Sequence, residues 1–182
     1  YKDLYDDSYD GPPFDWPGYG HADPDPKKRE HIRKTYAALL SMCDHYLGKV
    51  LDFLDENDMW KDTMVIVNTD HGFLLEEHDY WGKNIMPWYN ETAHMPLFIW
   101  DPRSSIKGER RSSLVQTIDL PVTLLNYFGL TATPDMEGHD LADTIRWDTP
   151  VRDAAMFGVY GGHACVTDGR YVYMRGIGEG EN

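Results

Sequence analysis

Three side chains in one loop have the types and the spacing of a metal and oxyanion site. Asp70 and His71 directly follow an apolar run, Gly72 comes next, and Lys83 closes the loop. An aspartate oxygen and a neutral imidazole nitrogen are ligands for a divalent ion, and a glycine permits the sharp turn that lets them face one point. A lysine ammonium stabilises charge that develops on an anionic ester. Asp-His-Gly is also a good turn sequence, so the surrounding elements decide its meaning.

The elements that must position this loop predict an α/β arrangement. Apolar residues recur at spacings of three and four over residues 32–54, which predicts a long amphipathic helix that begins after Asp25 and ends near Asp55. Residues 64–69 form a short apolar run typical of a strand that is covered on both faces. Ligands in open α/β sheets collect at the carboxyl ends of strands, so Asp70 lies where a site is expected.

The composition excludes several classes of partner. The 182 residues include 17 Lys and Arg against 31 Asp and Glu, which gives a formal net charge of −14. Nucleic acids and anionic membrane surfaces are not expected as partners, because both bind clustered cations. No apolar run reaches the roughly 18 residues that a transmembrane helix needs, so no membrane span is expected. Cys43 and Cys165 fit neither a zinc spacing nor a dense disulfide framework and are predicted to be free thiols.

The region around the loop resembles the sulfatase family of the alkaline-phosphatase-like hydrolases. Residues 65–102 read VIVNTDHGFLLEEHDYWGKNIMPWYNETAHMPLFIWDP. The family has a strand, an Asp-His-Gly or Asp-Asn-Gly metal turn, a loop that ends in Gly-Lys, and a Val-Pro-Leu strand. Residues 36–54 resemble the helix before the metal strand, and residues 113–130 resemble an Asp-Leu-x-Pro-Thr-Leu-Leu helix with a closing glycine. Residues 134–141 (PDMEGHDL) resemble the Gly-x-Ser/Asp-Leu segment that follows.

The resemblance implies an α/β fold class and a division of the chain. The expected fold is part of the alkaline-phosphatase-like mixed β-sheet sandwiched by helices, followed by the start of a small antiparallel C-terminal subdomain. Residues 1–26 are expected to be an irregular wrapping segment, because they are rich in proline, aspartate and aromatic residues. Residues 27–148 then form the C-terminal part of the sulfatase α/β domain. Residues 149–182 form a β-hairpin that begins the C-terminal subdomain.

The resemblance also implies roles for four residues. Asp70 and His71 are expected to be metal ligands, and Lys83 is expected to be catalytic and to contact the anionic group of the substrate. His78 is a candidate for substrate binding. The implied cofactor is a divalent metal ion, with calcium expected and manganese or zinc as alternatives, because an imidazole nitrogen suits the latter two better.

Other polar and aromatic residues of the loop are given structural roles. Glu76 and Glu77 are expected to form a solvated face. Trp81 is expected to pack within the loop rather than line a substrate cleft.

The function implied by the resemblance is that of a fragment of a sulfatase, which hydrolyses sulfate esters with a divalent metal ion. The family nucleophile, a formylglycine made from Cys or Ser in a Cys/Ser-x-Pro-x-Arg motif, is absent from the sequence and is expected in a missing N-terminal half. The fragment alone is therefore expected to be inactive. The expected substrate is a sulfated small molecule or glycan.

Three alternatives stay open. A phosphonate monoester or phosphodiester hydrolase of the same superfamily would share Asp70, His71 and Lys83. A phosphoethanolamine transferase would need membrane segments and an upstream threonine nucleophile. A catalytically inactive sulfatase-like binding module would have no reason to retain a metal turn.

Overall fold

The computed structural model describes residues 1–12, 18–83 and 87–176. Residues 13–17 of the expected N-terminal wrapping segment, and the end of the chain after residue 176, lie outside these ranges. The chain forms two compact units, one of residues 1–63 and 68–97 and the other of residues 64–67 and 98–182. No helix of the described residues is long and apolar enough to cross a bilayer.

The helices and strands alternate irregularly along the chain. In order they are β1 (Gly20–His21), α1 (Pro26–Glu56), β2 (Val65–Asn68), β3 (Leu74–Leu75), β4 (Tyr80–Gly82), α2 (Asn90–Ala93), β5 (Leu97–Trp100), α3 (Asp119–Tyr127), α4 (Ala142–Trp147), β6 (Ala155–Gly158), β7 (Ala164–Thr167) and β8 (Val172–Arg175). Single turns of 3-10 helix lie at Lys2–Leu4, Met59–Lys61 and Glu77–Asp79.

The first unit is built on α1, and the predicted bounds of this helix are confirmed. The Asp25 side chain caps its start by accepting a hydrogen bond from the Lys27 N–H at 3.0 Å, and proline stands at the first helical position. The N-terminal segment lies against the helix, since the Tyr5 hydroxyl contacts the Ser41 hydroxyl at 2.7 Å.

A small antiparallel sheet of order β1-β4-β3 completes the framework of the first unit. Strands β3 and β4 form a hairpin in which Leu74 pairs with Gly82 and Leu75 pairs with Trp81. The Trp81 side chain is 1% exposed and Leu74 is fully buried, so the expected packing role of Trp81 is confirmed. The hairpin therefore holds the two ends of the predicted loop side by side.

In the second unit β2 pairs with β5, and α3, α4 and an antiparallel sheet of order β6-β7-β8 follow. The predicted strand is present as β2, but Val65–Val67 are only half-buried. The expected cover on both faces of β2 is not observed in the described residues, where β2 pairs with β5.

A buried ion pair between Asp119 and Arg152 stabilises the second unit. The Asp119 carboxylate, 0% exposed, accepts hydrogen bonds from the Gln116 N–H (2.7 Å), the His139 N–H (2.8 Å) and the Arg152 guanidinium. Gly138 has no room for a Cβ atom because the Ile118 carbonyl lies against it. The glycine of the predicted 134–141 signature thus lets the chain approach α3 closely enough for the next N–H to reach Asp119.

We expect Asp119→Ala to lower the free energy of unfolding by about 3–5 kcal/mol, because it leaves the buried Arg152 charge without its partner. Urea unfolding of the 182-residue chain measures this change. Asp153→Ala is the matched control, since Asp153 neighbours Arg152 in sequence but is exposed. Equal effects of the two substitutions would contradict the assignment.

The same carboxylate predicts an acid-sensitive stability. Burial alone would raise the pKa of Asp119, but the hydrogen bonds from Arg152, Gln116 and His139 outweigh it and hold the pKa below its ordinary value. The stabilisation is therefore complete above the unfolded pKa of about 4 and is lost as the pH falls through the lower folded value. In urea titrations between pH 6 and pH 2, Asp119→Asn should show a smaller loss of stability than the unchanged chain. Parallel pH dependences would contradict this prediction.

Candidate metal centre

In the turn after β2, the Asp70 carboxylate lies against the backbone N–H of the next residue. The His71 N–H donates to Asp70 Oδ1 at 3.0 Å, and the Thr69 hydroxyl donates to the His71 carbonyl at 3.2 Å. Because Oδ1 is occupied by the N–H, Oδ2 remains available to a ligand. The Asp70 side chain is 82% exposed.

The hydrogen bond between His71 Nδ1 and the Gly72 carbonyl, 2.8 Å long, fixes the tautomer of the His71 ring. A carbonyl can only accept, so Nδ1 carries the hydrogen and Nε2 of the neutral ring carries the lone pair. Nε2 lies 2.7 Å from Lys83 Nζ and 3.4 Å from Asp70 Oδ2. The structure thus brings together three of the predicted residues around one nitrogen atom.

Asp70 is a carboxylate in this arrangement. Desolvation raises its pKa, but the electrostatic interaction with His71 and the hydrogen bonds from the turn outweigh this effect, and the pKa lies below its ordinary value. An anionic oxygen beside an imidazole lone pair is a donor pair suited to a divalent ion.

The backbone at Gly72 approaches α2 so closely that only glycine fits there. Its N–H donates to the Thr92 carbonyl at 3.0 Å, and an added Cβ atom would collide with the Glu91 carbonyl. Helix α2 therefore supports the turn whose carbonyl orients His71.

The donors present fit part of a metal site. Asp70 Oδ2 and His71 Nε2 would supply two ligands, whereas no group of three or more His, Cys, Asp or Glu side chains that could hold an ion occurs among residues 1–12, 18–83 and 87–176. Divalent ions in proteins take at least four ligands, so further ligands have to come from other groups.

His78, the fourth predicted residue, lies in a different place. It occupies the tip of the β3–β4 hairpin, whose other end carries Lys83. Its ring stacks on Tyr89 with centroids 3.7 Å apart, and its Nε2 lies 3.5 Å from Glu91 Oε2.

The hairpin tip is strained, and sequence reasoning missed what holds it. Glu76, His78 and Asp79 all have positive φ, at 91°, 57° and 64°. Glu76 is not solvated as expected: its side chain is 20% exposed and pairs with Arg29 at 2.8 Å and Arg33 at 3.0 Å. The signal in the sequence was the spacing of two arginines by four residues, which places them on one face of α1.

Comparisons with known proteins identify the family and the fold of this chain. The Sulfatase family model matches residues 8–130, about two thirds of the chain. A solved structure of BT4656 in complex with its substrate D-glucosamine-2-N,6-O-disulfate superimposes with a TM-score of 0.73 over 81% of this chain and 32% of that one, at 24% identity. The fold is therefore that of the alkaline-phosphatase-like hydrolases, and the chain belongs to the sulfatase family.

Two curated relatives illustrate the range of the similarity. N-acetylglucosamine-6-O-sulfatase of Bacteroides thetaiotaomicron is 28% identical over 73% of this chain and 24% of its own length. Multifunctional alkaline phosphatase superfamily protein PehA of Trinickia caryophylli is 32% identical over 60% of this chain and 21% of its own length. The chain spans only about a quarter of the length of these relatives.

We expect Lys83→Met to raise the affinity of the chain for Mn²⁺ or Zn²⁺ at least about tenfold. One lone pair cannot serve both an ammonium and a metal ion, and removal of Lys83 also removes a repelling positive charge. Isothermal titration calorimetry measures the affinity. Lys27→Met, which removes an exposed lysine of α1, is the control. An unchanged affinity in Lys83→Met would show that the ion does not use His71 Nε2.

Proposed function

We propose that the chain is the C-terminal part of a sulfatase and supplies part of the metal and sulfate site of that enzyme. The observation that carries the proposal is the convergence of Asp70 Oδ2, His71 Nε2 and Lys83 Nζ at the end of β2. A metal ion held by the two donors would, together with the ammonium, bring positive charge to the oxygens that surround the reacting atom of an anionic ester.

Asp70 and His71 would hold the metal ion in this proposal. The Gly72 carbonyl keeps the His71 hydrogen on Nδ1 and so keeps Nε2 free of a proton. The ion, when bound, polarises the ester oxygens. Calcium is the expected ion, and the imidazole donor leaves manganese and zinc as alternatives.

Lys83 would bind the sulfate group. Its ammonium, held at one end of the β3–β4 hairpin, balances the negative charge on the ester oxygens. His78 would line the substrate further along the same hairpin. The substrate would be a sulfated small molecule or glycan, in line with the names of the sulfatase relatives.

An uncovered apolar stripe on α1 supports the proposal that a further segment completes the enzyme. Five apolar residues are each more than half exposed, and four of them, at positions 39, 46, 50 and 53, lie on one face of the helix. They are Leu39, Leu40, Tyr46, Val50 and Phe53. A stripe of this kind is normally buried against another element. A preceding segment that carries the formylglycine and the remaining metal ligands would be its partner, so the 182-residue chain alone would be inactive.

A second candidate function is hydrolysis of phosphonate monoesters or phosphodiesters. The similarity to PehA favours it, because that relative is named as a multifunctional member of the alkaline phosphatase superfamily. An inactive binding module remains the outcome if neither ester is hydrolysed.

We expect the complete protein that contains this chain to release sulfate from an aryl sulfate or from N-acetylglucosamine 6-sulfate faster than it hydrolyses an aryl phosphonate monoester. Lys83→Ala should lower kcat/KM for the sulfate ester about 10²–10³-fold, because it removes a group that stabilises developing charge. Lys27→Ala is the matched control. Faster phosphonate turnover would favour the second function, and an unchanged Lys83→Ala rate would contradict the role of Lys83.

A further inference from the structure

The His78 ring at the hairpin tip is fixed from two sides by residues that border or belong to α2. Tyr89 stacks on the ring with an interplanar angle of 15°, and the Glu91 carboxylate lies 3.5 Å from Nε2. His78 itself has a left-handed backbone at φ 57°. A non-glycine residue adopts this conformation at a cost, which the surrounding contacts must offset.

The other three carboxylates of the tip each have a partner of their own. These pairs are Glu76 with Arg29 and Arg33, Asp79 with His21, and Glu77 with the Leu75 N–H. Glu91, which lies on α2, is therefore the carboxylate that faces His78.

Where no hydrogen bond holds the other ring nitrogen, as the Gly72 carbonyl holds Nδ1 of His71, a nearby carboxylate favours hydrogen on the imidazole nitrogen that it faces. Glu91 thus favours hydrogen on Nε2 of His78, and Nδ1 of the neutral ring carries the lone pair. The His78 side chain is 42% exposed, and no hydrogen bond reaches its Nδ1 from the described part of the chain.

We propose that Glu91 and Tyr89 are positioning residues that turn Nε2 of His78 inward, so that Nδ1 accepts a hydrogen bond from a hydroxyl group of the substrate. The inference rests on the proposed function, in which His78 lines the substrate. The hairpin tip would then bind a hydroxyl-bearing, sugar-like part of a sulfate ester. The carboxylates around the tip oppose a second anionic group there.

The contact of α2 with the metal turn guides the choice of variants. Glu91 meets Gly72 through its backbone carbonyl, whereas it meets His78 through its side chain. Glu91→Gln therefore removes the charge at His78 and leaves the support of Gly72 in place. Tyr89→Leu removes the ring stacking and serves as an independent second variant.

The first arm of the experiment measures the His78 tautomer in the 182-residue chain by long-range ¹H–¹⁵N NMR at pH 8, where an imidazole is neutral. The Nε2–H tautomer should dominate, and Glu91→Gln should shift the ring toward an equal mixture. Glu137→Gln, which removes an exposed carboxylate of the second unit, should leave the ring unchanged. A dominant Nδ1–H tautomer, or no response to Glu91→Gln, would overturn the proposal.

The second arm uses the complete protein and two sulfate esters, one of a sugar and one of a phenol without further hydroxyl groups. Glu91→Gln, Tyr89→Leu and His78→Ala should each raise KM for the sugar sulfate, by up to about tenfold, and should raise it more than KM for the aryl sulfate. The double variant Glu91→Gln/His78→Ala should be no worse than His78→Ala alone, because Glu91 acts through His78. Equal losses on both esters, or additive losses, would overturn the proposal.

The experiment distinguishes failure of the proposed sulfatase function from failure of the hydroxyl-binding role of His78. If the unchanged protein hydrolyses neither ester, the proposed sulfatase function fails and the hydroxyl-binding role fails with it, while the NMR arm still decides whether Glu91 positions His78. If the protein is active on both esters and His78→Ala affects neither, the function stands and the inference is wrong.

Discussion

The close approach of the Gly72 backbone to α2 is the constraint on which the candidate site depends. The Gly72 N–H is bound by the Thr92 carbonyl, and a side chain at this position would meet the Glu91 carbonyl. The turn is held at this point, so the Gly72 carbonyl is placed where it accepts from His71 Nδ1. The availability of the Nε2 lone pair is therefore decided by backbone packing and not by the histidine itself.

The hairpin tip shows how the first unit offsets local strain. Three non-glycine residues with positive φ cost of the order of 1 kcal/mol each. The pairs of Glu76 with Arg29 and Arg33, both on α1, help to hold the strained loop in place. Backbone strain of this kind clusters at functional sites, and Lys83 directly follows the other end of the same β3–β4 hairpin.

The sequence predicted the elements whose signals are local. The cap at Asp25 and the regular apolar spacing gave the bounds of α1, and the β-branched run gave β2. The convergence of Asp70, His71 and Lys83 was also expected, because the family motif carries their order along the chain. The pairing of Glu76 with Arg29 and Arg33, and of His78 with Glu91, was not expected. These contacts depend on the tertiary placement of α1 and α2, which neither periodicity nor charge patterning specifies.

The division of the proposed site between chain segments has an energetic consequence. Two protein ligands, one of them on a largely exposed aspartate, bind a divalent ion weakly, and Lys83 competes for the same nitrogen. A segment that covered the apolar stripe of α1 and brought further carboxylates would supply both the missing ligands and the negative charge needed to offset Lys83. In the proposed enzyme an incoming sulfate would draw the ammonium away from His71 for the same electrostatic reason. Metal binding, substrate binding and assembly of the two segments would then favour one another, because each removes the competition at His71 Nε2.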